Sequence, residues 1–364
     1  MVKTIPIVTS SKSYNVYVGR DAIGALKEYM KNKTVSKWLL IVDEQVAAFH
    51  PQTIQQLLSS HEQAIMYKAP AGEKSKSLQE YERCISFALK HGVDRKSEII
   101  AVGGGAIGDL AGFVAATYMR GISFVQVPTT LLAHDSSVGG KVGINHILGK
   151  NMIGSFYQPE AVFYDLSFLS TLPMHEWRSG FAEVVKHALI ADPMFFEFLV
   201  ENVKTLHNLG DKVLVHLISN GIRIKGTIVQ EDEKEQGVRA FLNFGHTLGH
   251  AIESAYGYGN ITHGEAVMMG MVYALLLSEK MNKLNFPFKP FLSWIHTLGY
   301  RLSFDRNLTF SDVWERMKRD KKASRQTPVF VLLRDIGQPM MKSVDKRILE
   351  ETFDQFIRLG EEMK

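Results

Sequence analysis

Two histidines four residues apart, His246 and His250 in Asn243-Phe244-Gly245-His246-Thr247-Leu248-Gly249-His250, share one face if the run is helical and could hold a divalent ion together. A third, His263, opens another apolar helical pattern in Ile261-Thr262-His263-Gly264-Glu265-Ala266. Upstream, Phe181-Ala182-Glu183-Val184-Val185-Lys186-His187 sets Glu183 among apolar neighbours, with Lys186 one turn on. The same spacings also suit hydrogen-bonded core histidines and a solvated carboxylate-lysine pair. Neither motif has the closed spacing of a structural zinc site.

A second kind of chemistry is written in Gly103-Gly104-Gly105-Ala106-Ile107-Gly108-Asp109, which follows an apolar strand pattern and opens a helix. Backbone N–H groups in that setting can hold a pyrophosphate, and glycine lets the backbone approach it closely. The run satisfies the dinucleotide fingerprint, yet it follows a late strand and lacks the acidic residue expected about 20 positions on. An acidic candidate for a ribose stands instead at Asp43, after an earlier strand. A tight strand-to-helix turn with no ligand remains the plainer alternative.

Cationic and polar residues gather near glycines at Arg120-Gly121, at Asp135-Ser136-Ser137-Val138-Gly139-Gly140-Lys141 and at Gly149-Lys150-Asn151, read here as short loops. Lys186, Lys225 and Arg239 add charge beside the histidine and glutamate motifs. Such groups suit an anion carrying phosphate or carboxylate. Taken singly, each lysine is also ordinary surface charge.

These groups need a scaffold. Short apolar runs at 38–42, 64–67, 99–102, 124–127 and 161–164 alternate with amphipathic stretches at 77–91 and 109–118, which predicts a mostly parallel, Rossmann-like sheet covered by helices. Beyond about residue 175 long helix-period patterns take over, at 181–190, 214–229 and 265–280. With 364 residues, past the size at which one core stops growing, the expectation is two domains: an α/β dinucleotide-binding domain over 1–174 and an all-α, metal- and substrate-binding domain over 175–364. A cleft between them is the default site. The 45% hydrophobic and 22% charged composition is that of a globular protein. A net charge of +4 without a Lys/Arg run argues against nucleic acid, and no apolar run reaches the length of a membrane span. Cys84 is alone, which excludes an internal disulfide and, with no signal peptide, points to the cytoplasm.

Read together, the motifs resemble those of the 3-dehydroquinate synthase family along the whole chain. The likeness runs through Gly-Gly-Gly-Ala-Ile-Gly-Asp at 103–109, Val-Pro-Thr-Thr-Leu-Leu-Ala at 127–133, Asp-Ser-Ser-Val-Gly-Gly-Lys at 135–141 and Leu-Gly-Lys-Asn at 148–151. It continues in Gly-Phe-Ala-Glu-Val-Val-Lys at 180–186, Leu-Asn-Phe-Gly-His-Thr-Leu-Gly-His at 242–250, His-Gly-Glu-Ala-Val at 263–267 and Asp-Lys-Lys at 320–322. One departure is visible: Ala133-His134 makes the stretch before Asp135 one residue shorter than the commoner form.

The resemblance implies a dehydroquinate synthase-like fold, with Glu183, His246 and His263 as ligands of a divalent metal, zinc or cobalt. His250 then belongs to the substrate and proton-relay shell. It implies NAD lying along Asp43, Gly72, Glu73, Lys76, Gly104, Gly105, Asp109, Thr129, Thr130 and Leu132, with Lys141 and Lys150 also reaching it. Around a phosphorylated sugar-acid substrate it places Asp135, Lys141, Lys150, Asn151, Lys186, Lys225, Glu235, Arg239, Asn243, His250 and one or both of Lys321 and Lys322. Arg120 would reach the substrate phosphate of a neighbouring subunit, implying a homodimer. The implied reaction closes 3-deoxy-D-arabino-heptulosonate 7-phosphate into 3-dehydroquinate by transient oxidation, phosphate elimination, reduction and intramolecular aldol. Another sugar phosphate cyclase, or a metal-dependent polyol dehydrogenase of the glycerol dehydrogenase type, is the alternative.

Overall fold

The computed structural model describes residues 2–257, 260–303, 308–318 and 328–362. It divides into two compact units, one of Met1–Leu172 with Leu214–Lys234 and one of Pro173–Val213 with Glu235–Lys364. The stretch 214–234, expected with the second half, groups with the first.

In chain order the first stretch contains β1 (Lys3–Val8), β2 (Ser13–Gly19), α1 (Ala22–Asn32), β3 (Trp38–Asp43), α2 (Glu44–Phe49), α3 (Pro51–Leu58), β4 (Ala64–Ala69) and α4 (Leu78–Lys90). It continues with β5 (Glu98–Gly103), α5 (Gly105–Thr117), β6 (Ser123–Pro128), α6 (Ala133–Ser136), β7 (Lys141–His146), β8 (Gly149–Phe156) and β9 (Ala161–Asp165). Seven of these strands form one sheet in the order β1-β2-β9-β6-β5-β3-β4, parallel except where β1 pairs antiparallel with β2.

The five apolar runs named above are the strands β3, β4, β5, β6 and β9. Trp38-Leu39-Leu40-Ile41-Val42-Asp43 is buried throughout because helices cover both faces of a parallel sheet. Its alternate side chains serve two cores: Leu39 and Ile41 pack with the α4 and α5 residues Cys84, Leu110 and Val114, while Trp38, Leu40 and Val42 pack with Leu26 and Met30 of α1. The antiparallel pair β1–β2 lies outside those five runs; in β1 only Ile5 and Ile7 are buried and Pro6 interrupts the pattern, a residue edge strands tolerate. Lys141 and Gly149-Lys150-Asn151, read as loops, instead open the two strands of a separate antiparallel hairpin, β7–β8.

The remaining elements are α7 (Met174–Ala191), α8 (Pro193–Asn202), α9 (Asp211–Glu231), α10 (His246–Tyr256), α11 (His263–Asn282), α12 (Phe288–Thr297), α13 (Phe310–Met317), β10 (Val329–Asp335), β11 (Gln338–Ser343) and α14 (Lys346–Glu362). Among the described residues the second unit is helical apart from the antiparallel hairpin β10–β11, absent from the all-α expectation. Phe330 to Leu333 form a continuous buried apolar run, which has no period to read. The hairpin docks on α11, where Ser278 Oγ accepts from Leu333 N–H and the rings of Tyr273 and Phe330 lie 6.0 Å apart.

Glycine sets the spacing of α10 and α11. A Cβ on Gly270 would stand 1.9 Å from the carbonyl oxygen of Gly245, and one on Gly249 would stand 3.1 Å from that of Ala266. The two helix backbones therefore touch, and the residues they carry are held at fixed separation.

Candidate active site

In the first unit the expected dinucleotide residues lie just beyond the carboxyl ends of β3, β4, β5 and β6. The chain runs from β3 outward to β4 on one side and then returns to β5 on the other, so the sheet has a switch point between β3 and β5, the place where open α/β sheets take ligands. Asp43 ends β3 and caps α2, accepting from Gln45 N–H at 2.8 Å, and its other oxygen accepts from Gly72 N–H at 3.4 Å. Gly72 has φ +63, a left-handed conformation that suits glycine. Gly104 and Gly105 open α5, and a Cβ on Gly104 would come within 2.9 Å of Thr130 Cγ2. Gly103 O accepts from Thr129 N–H at 3.0 Å, tying the two strand ends together. Leu132 follows Thr130 and leads into α6.

Lys76 is buried and donates to Asp109 Oδ2 at 2.6 Å and to Asn151 Oδ1 at 2.5 Å. Burial lifts the Asp109 carboxyl above its ordinary range, and Lys76 opposes the lift. Asn145, which the motifs did not single out, completes this network. Its Nδ2 donates to Glu73 Oε2 at 2.8 Å, and its Oδ1 accepts from Asn151 N–H at 2.9 Å. The hairpin β7–β8, bearing Lys141, Lys150 and Asn151, is thereby fixed to the turn bearing Glu73 and Lys76.

Lys225, on α9, donates to Asp135 Oδ2 at 2.9 Å. The shortened stretch before Asp135 forms the short helix α6, with His134 fully buried and its Nδ1 2.6 Å from Leu131 O. Arg120 has φ 68, and Asn151 and Glu235 have φ 55 and 57. Left-handed backbone is uncommon outside glycine and persists where surroundings over-determine it, often at functional sites.

The second unit brings Glu183, His246 and His263 together from α7, α10 and α11. Glu183 Oε1 lies 3.7 Å from His246 Nε2 and 3.6 Å from His263 Nε2. Each ring presents Nε2 because Nδ1 is engaged elsewhere: His246 Nδ1 is 3.1 Å from Phe244 O, and His263 Nδ1 is 3.2 Å from Glu253 Oε2. Burial, with Lys186, His250 and His263 nearby, drives the His246 pKa well below the ordinary value, the direction that favours the neutral ring a ligand needs. Burial opposes charge at His263 too, but hydrogen bonds and charge from Glu183 and Glu253 outweigh it and raise its pKa to about 9. Ligation there competes with a proton.

The ligand atoms of these three residues all lie within 4.8 Å of one another. His250 stands beside that set, its ring centroid 5.2 Å from that of His246 and 5.8 Å from that of His263. The shared face of His246 and His250 is thus real, while the ion-sized gap lies across three helices. Spacing along one helix does not report that. Lys186 is buried and ion-paired with Glu183 one turn away, so this pair is not solvated. Arg239 is buried, and Asn243 Nδ2 donates to Glu235 Oε1 at 3.0 Å. Lys321 and Lys322 lie outside the described residues. Glu253 was also missed, although its place seven residues after His246 puts it on the same helix face.

Residues 66–179 match a family model described as 3-dehydroquinate synthase N-terminal, and residues 180–323 match one described as 3-dehydroquinate synthase C-terminal. The chain is 49% identical to a 3-dehydroquinate synthase of Bacillus cytotoxicus, covering 100% of this chain and 99% of the relative. It is 48% identical to one of Bacillus cereus over 97% of this chain and 98% of that protein. A crystal structure of 2-deoxy-scyllo-inosose synthase complexed with carbaglucose-6-phosphate, NAD+ and Co2+ is 27% identical and superimposes with a TM-score of 0.86 over 98% of this chain and 100% of that one. A 2-epi-5-epi-valiolone synthase from Streptomyces hygroscopicus, with NAD+ and Zn2+ bound, shares the fold at 23% identity and a TM-score of 0.85, over 97% and 99% of the two chains. By both halves of its sequence and its likeness to full-length relatives, the chain belongs to the 3-dehydroquinate synthase family.

Proposed function

We propose that this chain carries out the reaction of its family, closing 3-deoxy-D-arabino-heptulosonate 7-phosphate into 3-dehydroquinate with release of phosphate, the second step of aromatic amino acid biosynthesis. The observation that carries this reading is the Glu183 carboxylate flanked by two histidine Nε2 atoms at 3.6 and 3.7 Å. Ligand bonds of about 2.1 Å at a tetrahedral angle put neighbouring donor atoms about 3.4 Å apart, so the set fits one zinc or cobalt ion. The narrow glycine turn at the switch point fits the pyrophosphate of NAD, since a side chain on Gly104 would fill it. On this reading the first unit takes the dinucleotide and the second the metal.

When bound, the metal supplies Lewis acidity toward substrate oxygens and NAD supplies a reversible hydride acceptor. The chain's own residues do the rest. On this reading Lys141, Lys150, Lys225 and Arg239 hold an anion that carries both phosphate and carboxylate, and Lys141 and Arg120 stabilise phosphate as it departs. Lys225 is oriented by Asp135, and Asn243 by Glu235. Lys186 holds the Glu183 carboxylate from one side, and the role read for His250, whose ring centroid lies 5.8 Å from that of His263, is to pass protons to a substrate oxygen. Fixing a flexible chain in a ring-closing geometry is the entropic part of the catalysis.

A homodimer with Arg120 serving the partner's site, and a cytoplasmic location suited to the lone, buried Cys84, complete the proposal. No helix among the described residues is long and apolar enough to cross a membrane.

The test is phosphate release from the heptulosonate phosphate, with and without chelator, while NADH absorbance is followed. The expected result is release that chelator abolishes and zinc or cobalt restores, with no net NADH. Full-speed cyclisation by demetallated protein would overturn the reading, and steady NADH formation from a simple polyol would favour a dehydrogenase.

A further inference from the structure

Glu253 has no part in the scheme above, yet its carboxylate is buried and one oxygen lies 3.2 Å from His263 Nδ1, on the side of the ring away from Glu183. We infer that Glu253 is a positioning residue for the metal centre: it fixes the His263 ring and its tautomer so that Nε2 is offered to the ion. The inference rests on the reading of Glu183, His246 and His263 as a metal set.

Glu253 acts on the ring, because the backbone beneath His263 is anchored by other means. The start of α11 is closed by a capping box between Thr262 and Glu265. Glu265 in turn accepts from Arg178 Nε at 2.7 Å. Gly264 N–H donates to Ser179 Oγ at 3.1 Å, with its Cα so close to α7 that a Cβ would meet Ser179 O at 2.0 Å. The spacing of α10 from α11 is set by Gly270 against Gly245. None of these contacts involves Glu253. What remains free to turn is the imidazole about its side-chain bonds, and a hydrogen bond to Nδ1 limits that turning.

The two histidines differ in this respect. His246 Nδ1 meets the backbone carbonyl of Phe244, whereas His263 Nδ1 meets a carboxylate. A carboxylate partner also raises the basicity of the ligating nitrogen. The same orientation could be kept by an amide oxygen, without the charge.

The experiment strips the full-length chain of metal and measures zinc affinity by competition with a chromogenic chelator for the wild type, Glu253→Ala, Glu253→Gln and His246→Ala. Thermal melting of each metal-free protein is the check on folding. Outer-sphere partners of metal-bound histidine are worth about 10- to 100-fold in affinity, so Glu253→Ala should weaken zinc by that factor while its metal-free melting stays near that of the wild type. Glu253→Gln should recover part of the loss. Zinc affinity in Glu253→Ala equal to the wild type, with His246→Ala weakened, would overturn the inference alone. Affinity unmoved by His246→Ala would overturn the metal-centre reading and this inference with it. Equal loss in Glu253→Ala and Glu253→Gln, with metal-free melting lowered in both, would show a merely structural residue and also overturn it.

Discussion

Lys76 and Asp109 form a 2.6 Å ion pair that joins the turn after β4 to the start of α5, and the lysine side chain is only 4% exposed. Removing one partner of a buried pair leaves a charge without compensation, while replacing both is far milder. Lys76→Met should therefore cost about 3 kcal/mol of stability, and adding Asp109→Asn should restore much of it. Urea unfolding of the two variants checks the order. A double variant less stable than the single one would contradict the pairing.

Backbone contact between α10 and α11 gives a second prediction. In Gly270→Ala the new methyl would lie 1.9 Å from Gly245 O and 2.9 Å from Gly249 N, and backbone cannot turn aside as a side chain can. Overpacking of this kind costs about 1–3 kcal/mol, and the displaced α10 carries His246 with it. Lower melting together with weaker zinc binding is expected. Gly210→Ala, where a Cβ meets nothing within 4 Å, is the control and should melt like the wild type.

Acid stability should depend on Glu233. Its carboxylate accepts from Ser11 N–H at 3.0 Å and Gln158 Nε2 at 2.8 Å, and from the hydroxyls of Ser10 and Ser11. Burial works against its charge, but these hydrogen bonds outweigh burial and bring the pKa down to about 2. The folded pKa lies below the unfolded one, so the stabilisation is complete above about pH 4.3 and is lost as pH falls toward 2. Relative to wild type, Glu233→Gln should melt earlier at neutral pH, with the gap closing between pH 4 and pH 2. Melting temperature against pH for both proteins decides it.

The cross-subunit role proposed for Arg120 predicts complementation. Arg120→Ala and His246→Ala should each be nearly inactive alone, but in a mixed dimer the metal-competent site would receive its arginine from the other chain. Random exchange in a two-fold dimer should then restore roughly a quarter of wild-type activity. Two inactive variants that stay inactive after subunit exchange would place Arg120 in its own chain's site.

Much of the scaffold was legible because it rests on contiguous patterns. The strand β3 and the helix α4 each follow from a local apolar run, and the Gly103–Gly105 turn follows from the end of β5. The edge strand β1 and the hairpin β7–β8 were not, since Pro6 and closely spaced glycines hide the alternation of partly exposed strands. The site was less legible than the fold. His246 and Glu183 are 63 residues apart, and only the crossing of α7, α10 and α11 brings their side chains together. Resemblance to a family supplied what periodicity could not. Glu253 and Asn145 escaped both, because each acts on another side chain and has no motif of its own.

The helix α9 has a consequence for how the protein is made. Every strand of the seven-stranded sheet has been synthesised by residue 165, yet Leu214–Lys234, which belongs to the same unit and brings Gly226 against Ile7, comes only after 41 residues of the other unit. The nascent sheet must wait for its own last piece with an apolar surface uncovered, and a fragment cut at Leu172 would keep that surface permanently. A single cut in the gene therefore does not separate the two units.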